Sequence, residues 1–328
     1  MKLSLFSNKS YDQDSFTSAN EDSRHELEFI DTQLNLASVE QANGKSAICV
    51  FVNDQVDASV LRKLYAQGTR LICLRCAGYN NVDIAEANKL GIKVVNVPAY
   101  SPHAVAEHAL ALILALNRHI PQAYERVHSG NFTLDGLIGF DLNGKTAGII
   151  GTGRIGAIVA CTLQSLGIKV LATDPIQNPQ CCHQGIEYAD LDTILSRSDI
   201  ISLHCSLTAE TCNLIGHDEI SKMKPGVMLI NTSRGASVNT EAAIEGLESG
   251  QIGYLGIDVY EHEQSIFLNA KSKEDYKDAL LDKLISLPNV IVTPHQAFFT
   301  TEALHNIAVT TLNSLTEFEQ GSELSHLL

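Results

Sequence analysis

The sequence is short of positive charge. Its 328 residues include 23 Lys and Arg against 38 Asp and Glu, which gives a formal net charge of −15. This balance argues against a nucleic-acid backbone or an anionic membrane as the main partner, because both attract basic surfaces. If the ligand is an anion, a few local cations must bind it.

Long apolar runs are also lacking. The most apolar stretch, residues 109–116, is too short to span a bilayer, and the opening MKLSLFSNKSYDQD has too short an apolar segment for a signal peptide. We therefore expect a cytoplasmic protein. The length and the hydrophobic content of 45% suit about two domains with large cores.

Cysteine is present, but the pattern of a zinc site is missing. The eight cysteines are scattered, and several fall in strand-like runs such as LICLRCAG. Cys73 and Cys76 have CxxC spacing, yet no second such pair exists, and adjacent Cys181 and Cys182 do not supply the usual geometry. We expect reduced thiols and no bound metal.

Short β-branched runs alternate with helix-length segments along most of the chain. KLSLF, AICVFV, RLICLR and IKVVNV come first, and a later series comprises KTAGIIG, IKVLATD, DIISLHC, GVMLINTS, YLGIDVY and NVIVTPH. Such alternation predicts an α/β fold with two parallel sheets, with six strands in the second.

A long helical pattern separates the two series. Ser101 suits an N-cap, Pro102 suits the first turn, and the pattern runs to about residue 119. We expect this helix to cross between the domains. Its apolar residues, within 104–116, suit an internal face or a subunit interface equally well.

The two domains are predicted to be nested. A helical pattern from about Thr300 leads the chain away from the second sheet. We therefore expect residues 1–100 and 299–328 to form one domain, with residues 101–298 inserted as the other. The polar connection 262–289 is expected to run over the surface.

The segment GIIGTGRIG, residues 148–156, has the pattern GxGxxG. Gly151 permits a tight turn, Gly153 lets the backbone approach a pyrophosphate, and Gly156 lets helix and strand pack closely. An isolated match is as often a simple βα turn. Here a strand, a helix and Asp174 at the end of the next strand surround it, which indicates NAD, since a carboxylate there repels the phosphate of NADP.

Three residues with suitable chemistry follow strands of the same domain. Arg234 in INTSRG can bind a carboxylate, and His295 in VTPHQAFFT can exchange a proton near neutral pH. Glu263, after GIDVYEH, can orient that imidazole and favour its charged form. Singly, each is more often a solvated or structural residue; together they predict hydride transfer to nicotinamide from a hydroxy acid, with the reverse reaction reducing the keto acid.

The chain resembles the D-isomer-specific 2-hydroxyacid dehydrogenase family over essentially its whole length, and within it the fermentative NAD-dependent D-lactate dehydrogenases. The matching stretches are LRCAGYNNVD, NVPAYSPHAVAEHAL, GKTAGIIGTGRIG, ISLHCSLT, INTSRGA, GIDVYE and TPHQAF. The resemblance implies a Rossmann-type nucleotide domain inserted into a flavodoxin-like substrate domain. It also implies a homodimer or homotetramer.

The resemblance further implies a role for each site residue. The catalytic residues are Arg234, which binds the substrate, Glu263, and the acid/base His295. The substrate-binding residues are Ala77 and Gly78, through their backbone, with Tyr100 and Phe298. The NAD-binding residues are Gly151, Gly153, Arg154, Ile155, Gly156, Asp174, His204, Thr232 and Asp258. Among these, Asp258 is expected to contact the nicotinamide amide.

The expected reaction is the reversible reduction of pyruvate to D-lactate by NADH, in a cleft between the domains. Gln296 to Phe299 follow the histidine where relatives acting on phosphoglycerate or glyoxylate typically have glycines, and a bulky aromatic there favours a small substrate. Ser206 replaces a frequent proline without removing a catalytic group. The alternatives are another 2-keto acid, such as phenylpyruvate, hydroxypyruvate or a branched-chain acid, and an NAD-sensing binding protein.

Overall fold

The structure, a computed structural model, describes residues 1–22, 24–263, 266 and 272–328. The chain divides into two compact units. The first unit comprises Met1–Ser101 and Phe299–Leu328, and the second comprises Pro102–Phe298. Each unit has its own parallel sheet with helices around it. The predicted α/β class with two parallel sheets is therefore confirmed.

The first unit is built on five parallel strands. They are β1 (Lys2–Leu5), β2 (Glu26–Phe29), β3 (Ala47–Val50), β4 (Leu71–Leu74) and β5 (Lys93–Val95). Their order is β2-β1-β3-β4-β5, which is the flavodoxin-like order. The strand β2 escaped the sequence analysis because it lies at the sheet edge, where alternating ELEF replaces a continuous apolar run.

In its described residues this unit has four α-helices. They are α1 (Ser10–Ala19), α2 (Ala58–Ala66), α3 (Ile84–Leu90) and the C-terminal α12 (Thr301–Gln320). The predicted helix after Thr300 is present, and the Thr300 hydroxyl caps it by accepting a hydrogen bond from the Ala303 N–H at 3.2 Å. It packs against α1 and β4, so the end of the chain returns to the first unit.

The second unit has seven parallel strands. They are β6 (Thr146–Ile150), β7 (Lys169–Thr173), β8 (Glu187–Tyr188), β9 (Ile200–Leu203), β10 (Val227–Asn231), β11 (Ile252–Ile257) and β12 (Val290–Val292). The order is β12-β11-β10-β9-β6-β7-β8. The predicted six strands are present, but the count was wrong, because the two-residue β8 adds a seventh at the edge. The order reverses at β6, where sheets of this type bind nucleotides.

Helices cover this second sheet. They are α4 (Pro102–Asn117), α5 (Ile120–His128), α6 (Arg154–Ser165), α7 (Pro179–His183), α8 (Leu191–Arg197), α9 (His217–Lys222), α10 (Thr240–Ser249) and α11 (Ala279–Ser286). Most apolar residues of α4 pack on α6, β10 and β11 and form an internal face, whereas Leu114 is 43% exposed. The helix predicted to residue 119 ends at Asn117, because His119 has a left-handed φ of 50° and a new helix follows.

The connection predicted to run over the surface, residues 262–289, is partly core. Its α11 buries Leu281 and Leu284 beneath the sheet edge. Residues 264, 265 and 267–271 of this connection lie outside the described residues. Among the helices that the structure describes, none is long and apolar enough to cross a membrane. All eight cysteines are free thiols.

Candidate functional site

The glycine-rich turn joins β6 to α6 at the point where the strand order reverses. Gly151 has a φ of +92°, and a Cβ there would lie 2.7 to 2.9 Å from the backbone of His204 and Cys205. A Cβ on Gly156 would lie 1.9 Å from the Gly151 carbonyl oxygen. Only glycine therefore allows this turn and the close packing of the helix against it.

Gly153 has a different environment from its two neighbours. It caps α6, and a Cβ there would meet nothing within 4 Å. The open space lies at the N-terminus of a 12-residue helix, whose first turn contains Arg154 and Ile155. Unpaired N–H groups and the helix dipole favour an anion at this position, so the turn fits a pyrophosphate.

Asp174 lies beside this turn, directly after β7. Its Oδ2 accepts a hydrogen bond from the Thr152 N–H at 2.6 Å, and its Oδ1 accepts one from the Ile176 N–H at 2.8 Å. A carboxylate has about four acceptor positions, so it can accept further bonds from a ribose. Tyr188 on β8, which no sequence pattern indicated, donates a hydrogen bond from its hydroxyl to the Thr152 Oγ1 at 2.8 Å and stabilises the turn.

Two predicted cofactor residues carry buried polar atoms without a partner. The Thr232 Oγ1 and the His204 Nδ1 have no hydrogen-bond partner among the residues that the structure describes. The other ring nitrogen of His204 lies 2.9 Å from the Ser202 Oγ, and burial lowers the pKa of His204 to about 4, so the ring is neutral. Unsatisfied buried atoms are rare in native proteins and are consistent with a bound polar group.

His295 and Glu263 form the pair that the sequence predicts. The Nδ1 of His295 lies 2.8 Å from the Glu263 Oε1, and the other oxygen of Glu263 accepts a hydrogen bond from the Tyr260 N–H at 2.8 Å. A carboxylate only accepts hydrogen bonds, so the proton lies on Nδ1 of the imidazole. This arrangement leaves Nε2 for proton exchange with a substrate.

The surroundings of His295 favour its charged form. Burial acts to lower the pKa of His295, and the charge of Arg234 acts in the same direction. The hydrogen bond and charge of Glu263, with the charge of Asp258, outweigh them and raise the pKa above its ordinary value. An imidazolium is therefore available to donate a proton near neutral pH.

Asp258 has more partners than the sequence analysis expected. It follows β11, is 1% exposed, and accepts hydrogen bonds from the Thr293 Oγ1 at 2.5 Å and the N–H groups of Gln296 and Ala297, each at 2.8 Å. Burial raises the pKa of its carboxyl. The residue anchors the loop that contains His295, and its contact with the nicotinamide amide stays a prediction.

Arg234 is exposed at the end of β10. The Asn231 side chain donates a hydrogen bond to the Arg234 carbonyl oxygen at 2.8 Å and thereby shapes the loop. A Cβ on Gly235 would lie 2.2 Å from the Tyr260 backbone, so glycine is needed beside the arginine. Within the described part of the chain no carboxylate pairs with the Arg234 guanidinium, which leaves it available for an anionic substrate.

The remaining predicted substrate residues are Ala77, Gly78, Tyr100 and Phe298. Ala77 and Gly78 follow β4 in the first unit, and their N–H groups donate no hydrogen bond to any described residue. The Asn96 side chain donates to the Ala77 carbonyl oxygen at 2.8 Å. Tyr100 belongs to the first unit and Phe298 to the second. Their contact with a substrate stays a prediction.

A family model matches more than half of the chain. It describes the NAD-binding domain of the D-isomer-specific 2-hydroxyacid dehydrogenases and covers residues 110–297. The D-lactate dehydrogenase of Escherichia coli (strain K12) is 47% identical over 321 residues, which is 98% of each chain.

Two solved structures are similar over nearly their full length. The pyruvate reductase of Chlamydomonas reinhardtii has a TM-score of 0.93 and 41% identity, covering 99% of this chain and 98% of that one. The D-lactate dehydrogenase of Aquifex aeolicus, solved with NAD and lactic acid, has a TM-score of 0.88 and 34% identity with the same coverage.

Proposed function

The chain belongs to the D-isomer-specific 2-hydroxyacid dehydrogenase family, and we propose that it reduces pyruvate to D-lactate reversibly with NADH. The observation that carries the proposal is the 2.8 Å contact between His295 and Glu263, with the charge of Arg234 acting on the imidazole and no carboxylate paired with Arg234 among the described residues. An imidazolium beside a guanidinium suits a substrate that has a carboxylate and a ketone. The names of the similar proteins, D-lactate dehydrogenase and pyruvate reductase, support pyruvate as this substrate.

Each protein group has one task in the proposed reaction. Arg234 binds the carboxylate of pyruvate through its guanidinium. His295 donates the proton on Nε2 to the ketone oxygen, and Glu263 stabilises the imidazolium until that transfer. In the oxidation of D-lactate, neutral His295 accepts the hydroxyl proton. NADH, when bound, supplies the hydride.

NAD is the cofactor, and the second unit has the groups to bind it. We assign the pyrophosphate to Gly151, Gly153 and Gly156 with the first turn of α6, and the adenosine ribose to Asp174. The buried hydroxyl of Thr232, which has no hydrogen-bond partner in the described part of the chain, and the neutral ring of His204 are consistent with a polar ligand beside them.

Aromatic residues after the catalytic histidine support a small substrate. Phe299 packs edge-on against Tyr11, with ring centroids 4.7 Å apart. Phe298 precedes it and is the residue that we assign to the substrate's methyl group.

A substrate panel tests the proposed function. Purified protein is mixed with NADH and, in parallel, pyruvate, hydroxypyruvate, phenylpyruvate, glyoxylate or 2-ketoisocaproate, with NADPH as the cofactor control. We expect the highest kcat/KM with pyruvate and NADH. If a larger keto acid is preferred, the substrate is wrong; if NADH binds and no keto acid reacts, the protein is an NAD-binding sensor.

We also propose a homodimer or homotetramer in which α5 lies at the interface. Ile120, Tyr124 and Val127 recur at helical spacing, are 50% to 62% exposed, and form an apolar face on a helix that buries no residue. The next segment exposes Phe132, Leu134 and Ile138 by 76% to 84%. A second copy of the chain would cover this surface. The cytoplasmic location stays a prediction from the sequence.

A further inference from the structure

His108 is a histidine of α4 that the proposed reaction does not use. Its side chain is 17% exposed and lies against the loop that follows β12. The Nε2 of His108 is 3.0 Å from the Thr293 Oγ1 and 3.5 Å from the Asp258 Oδ1. His108 therefore contacts both Thr293, which lies two residues before the catalytic histidine, and Asp258, which anchors the loop of that histidine.

The direction of these hydrogen bonds follows from the number of protons. The Asp258 carboxylate can only accept, so the single hydroxyl proton of Thr293 is donated to it across 2.5 Å. The Thr293 Oγ1 must then accept from His108, and the His108 proton lies on Nε2. The order of donation is from His108 to Thr293 to Asp258.

This chain of hydrogen bonds ends at the loop of His295. Asp258 accepts from the N–H groups of Gln296 and Ala297, and its carbonyl oxygen accepts from the His295 N–H at 2.8 Å. His295 has a φ of +55°, in the left-handed region that costs free energy for a residue with a side chain. Surrounding contacts must hold such a conformation.

We propose that His108 is a positioning residue for the acid/base histidine, acting through Thr293 and Asp258. The N–H at Nε2 of His108 keeps the Thr293 hydroxyl directed at the Asp258 carboxylate, which holds the His295 loop in its strained conformation. This inference rests on the proposed function, since it assigns His108 to the same site.

The proposal has an electrostatic consequence. His108 faces Asp258 from α4, while Glu263, Asp258 and Arg234 are the charged groups that act on His295. Without the His108 donor, the buried Asp258 carboxylate loses stabilisation, and its pKa rises further. Since the charge of Asp258 helps to raise the pKa of His295, that pKa then falls.

Two substitutions separate the donor from the packing of the ring. His108→Leu removes the donor, whereas His108→Gln retains an N–H at a similar position. We expect His108→Leu to lower kcat for the keto acid that the enzyme prefers by about tenfold, because small misplacements of a catalytic group are costly. We also expect the alkaline limb of its pH profile to move to lower pH, and His108→Gln to stay close to the wild type.

His217→Gln serves as the matched control, since this imidazole is exposed on α9 and, of the residues that the structure describes, pairs with the exposed Glu245. Wild-type kcat and pH profile in His108→Leu would overturn the proposal. A loss of kcat in His108→Gln equal to that in His108→Leu would also overturn the proposal, because the packing of the ring, and not the hydrogen bond that it donates, would then matter. NADH binding and thermal unfolding of each variant identify general damage to the fold.

A readout without turnover distinguishes this inference from the proposed function. The ring nitrogens of His295 are titrated by NMR in protein labelled with 15N-histidine, with His295→Gln for assignment. We expect a lower midpoint in His108→Leu than in the wild type and His108→Gln. An unchanged midpoint overturns the positioning role even if the wild type reduces pyruvate, and a lowered midpoint supports it even if pyruvate is not the substrate.

Discussion

At the scale of single residues, the acid/base chemistry depends on how Glu263 and His295 share one proton. Burial alone would leave the imidazole neutral, which suits oxidation of a hydroxy acid but not reduction of a keto acid. The carboxylate at 2.8 Å reverses that preference and also sets the tautomer that leaves Nε2 free. The contact with Glu263 therefore favours the protonated form of His295 and also fixes Nε2 as the ring nitrogen that donates the proton.

Glu263→Gln tests this contact. The amide keeps a hydrogen-bonding group of similar size but removes the charge that raises the pKa of His295. Reduction needs protonated His295, so its rate falls as the pH rises through that pKa. We expect the alkaline limb of the kcat profile for reduction to move to lower pH, with kcat at pH 8 lowered about tenfold.

Glu261→Gln is the control for that substitution. Glu261 lies two residues away, and its Oε2 accepts a hydrogen bond from the Thr240 N–H at 3.1 Å, which glutamine can still do. Its pH profile should match the wild type. If the alkaline limb of the Glu263→Gln profile lies at the same pH as that of the wild type, Glu263 does not control the protonation of His295.

At the scale of elements, the turn from β6 to α6 contains glycines with two separate purposes. Gly151 and Gly156 are required by the fold itself, because a Cβ at either would overlap backbone atoms. Gly153 is not, since the space beside it is open. A glycine that the fold does not need is best explained by a ligand that comes close to the backbone.

Gly153→Ala and Gly156→Ala should therefore differ. We expect Gly153→Ala to leave the thermal unfolding of the NADH-free protein unchanged and to weaken NADH binding about tenfold or more, because the methyl group occupies the pyrophosphate position. Gly156→Ala should destabilise the NADH-free protein by about 1–3 kcal/mol through overpacking. Calorimetry measures the unfolding of each variant, and NADH fluorescence titration measures its NADH affinity. Wild-type NADH affinity in Gly153→Ala would contradict the assignment of the pyrophosphate to this turn.

The sequence predicted the elements that have continuous apolar runs and missed those that do not. The strands of the nucleotide-binding sheet were recognisable because they are buried on both faces, as in VMLIN of β10. The edge strand β8 has two residues, too few to form a pattern, and α5, which buries none, follows closely after the longer and more apolar α4. Pattern analysis finds buried elements best.

The same limit applies to the site. Arg234, Glu263 and His295 were candidates because each lies in the loop after a strand and has an obvious chemical role, and the structure brings Glu263 and His295 together. His108 and the anchoring role of Asp258 depend on contacts between α4, β11 and the loop after β12, and His108 is 185 residues from Thr293 in sequence. No local pattern encodes such contacts, and a histidine within an apolar helix predicts nothing by itself.

At the scale of the whole molecule, the comparisons confirm the family, the α/β class and NAD as the cofactor. The proposed oligomer adds a further test. The single chain has a mass of 35.6 kDa, so we expect light scattering to give two or four times that value. Phe132→Asp with Leu134→Asp should lower the mass, because charge on the exposed apolar segment opposes association.

Leu36→Asp provides the control for the oligomer, since this residue is 49% exposed and belongs to the first unit, whereas α5 and the segment after it belong to the second. It should leave the mass unchanged. A wild-type mass of one chain, or an unchanged mass in the double variant, would refute the interface on α5 and the segment that follows it.

The most direct test of the account measures product and cofactor together. Wild-type protein and His295→Ala are incubated with pyruvate and NADH, D- and L-lactate are quantified, and NADH binding is measured for both. We predict one D-lactate for each NADH consumed by the wild type, and at least a hundredfold lower kcat in His295→Ala, about the value of a lost general acid, with NADH affinity nearly intact. L-lactate as the product, or turnover that survives without His295, would contradict the central claim.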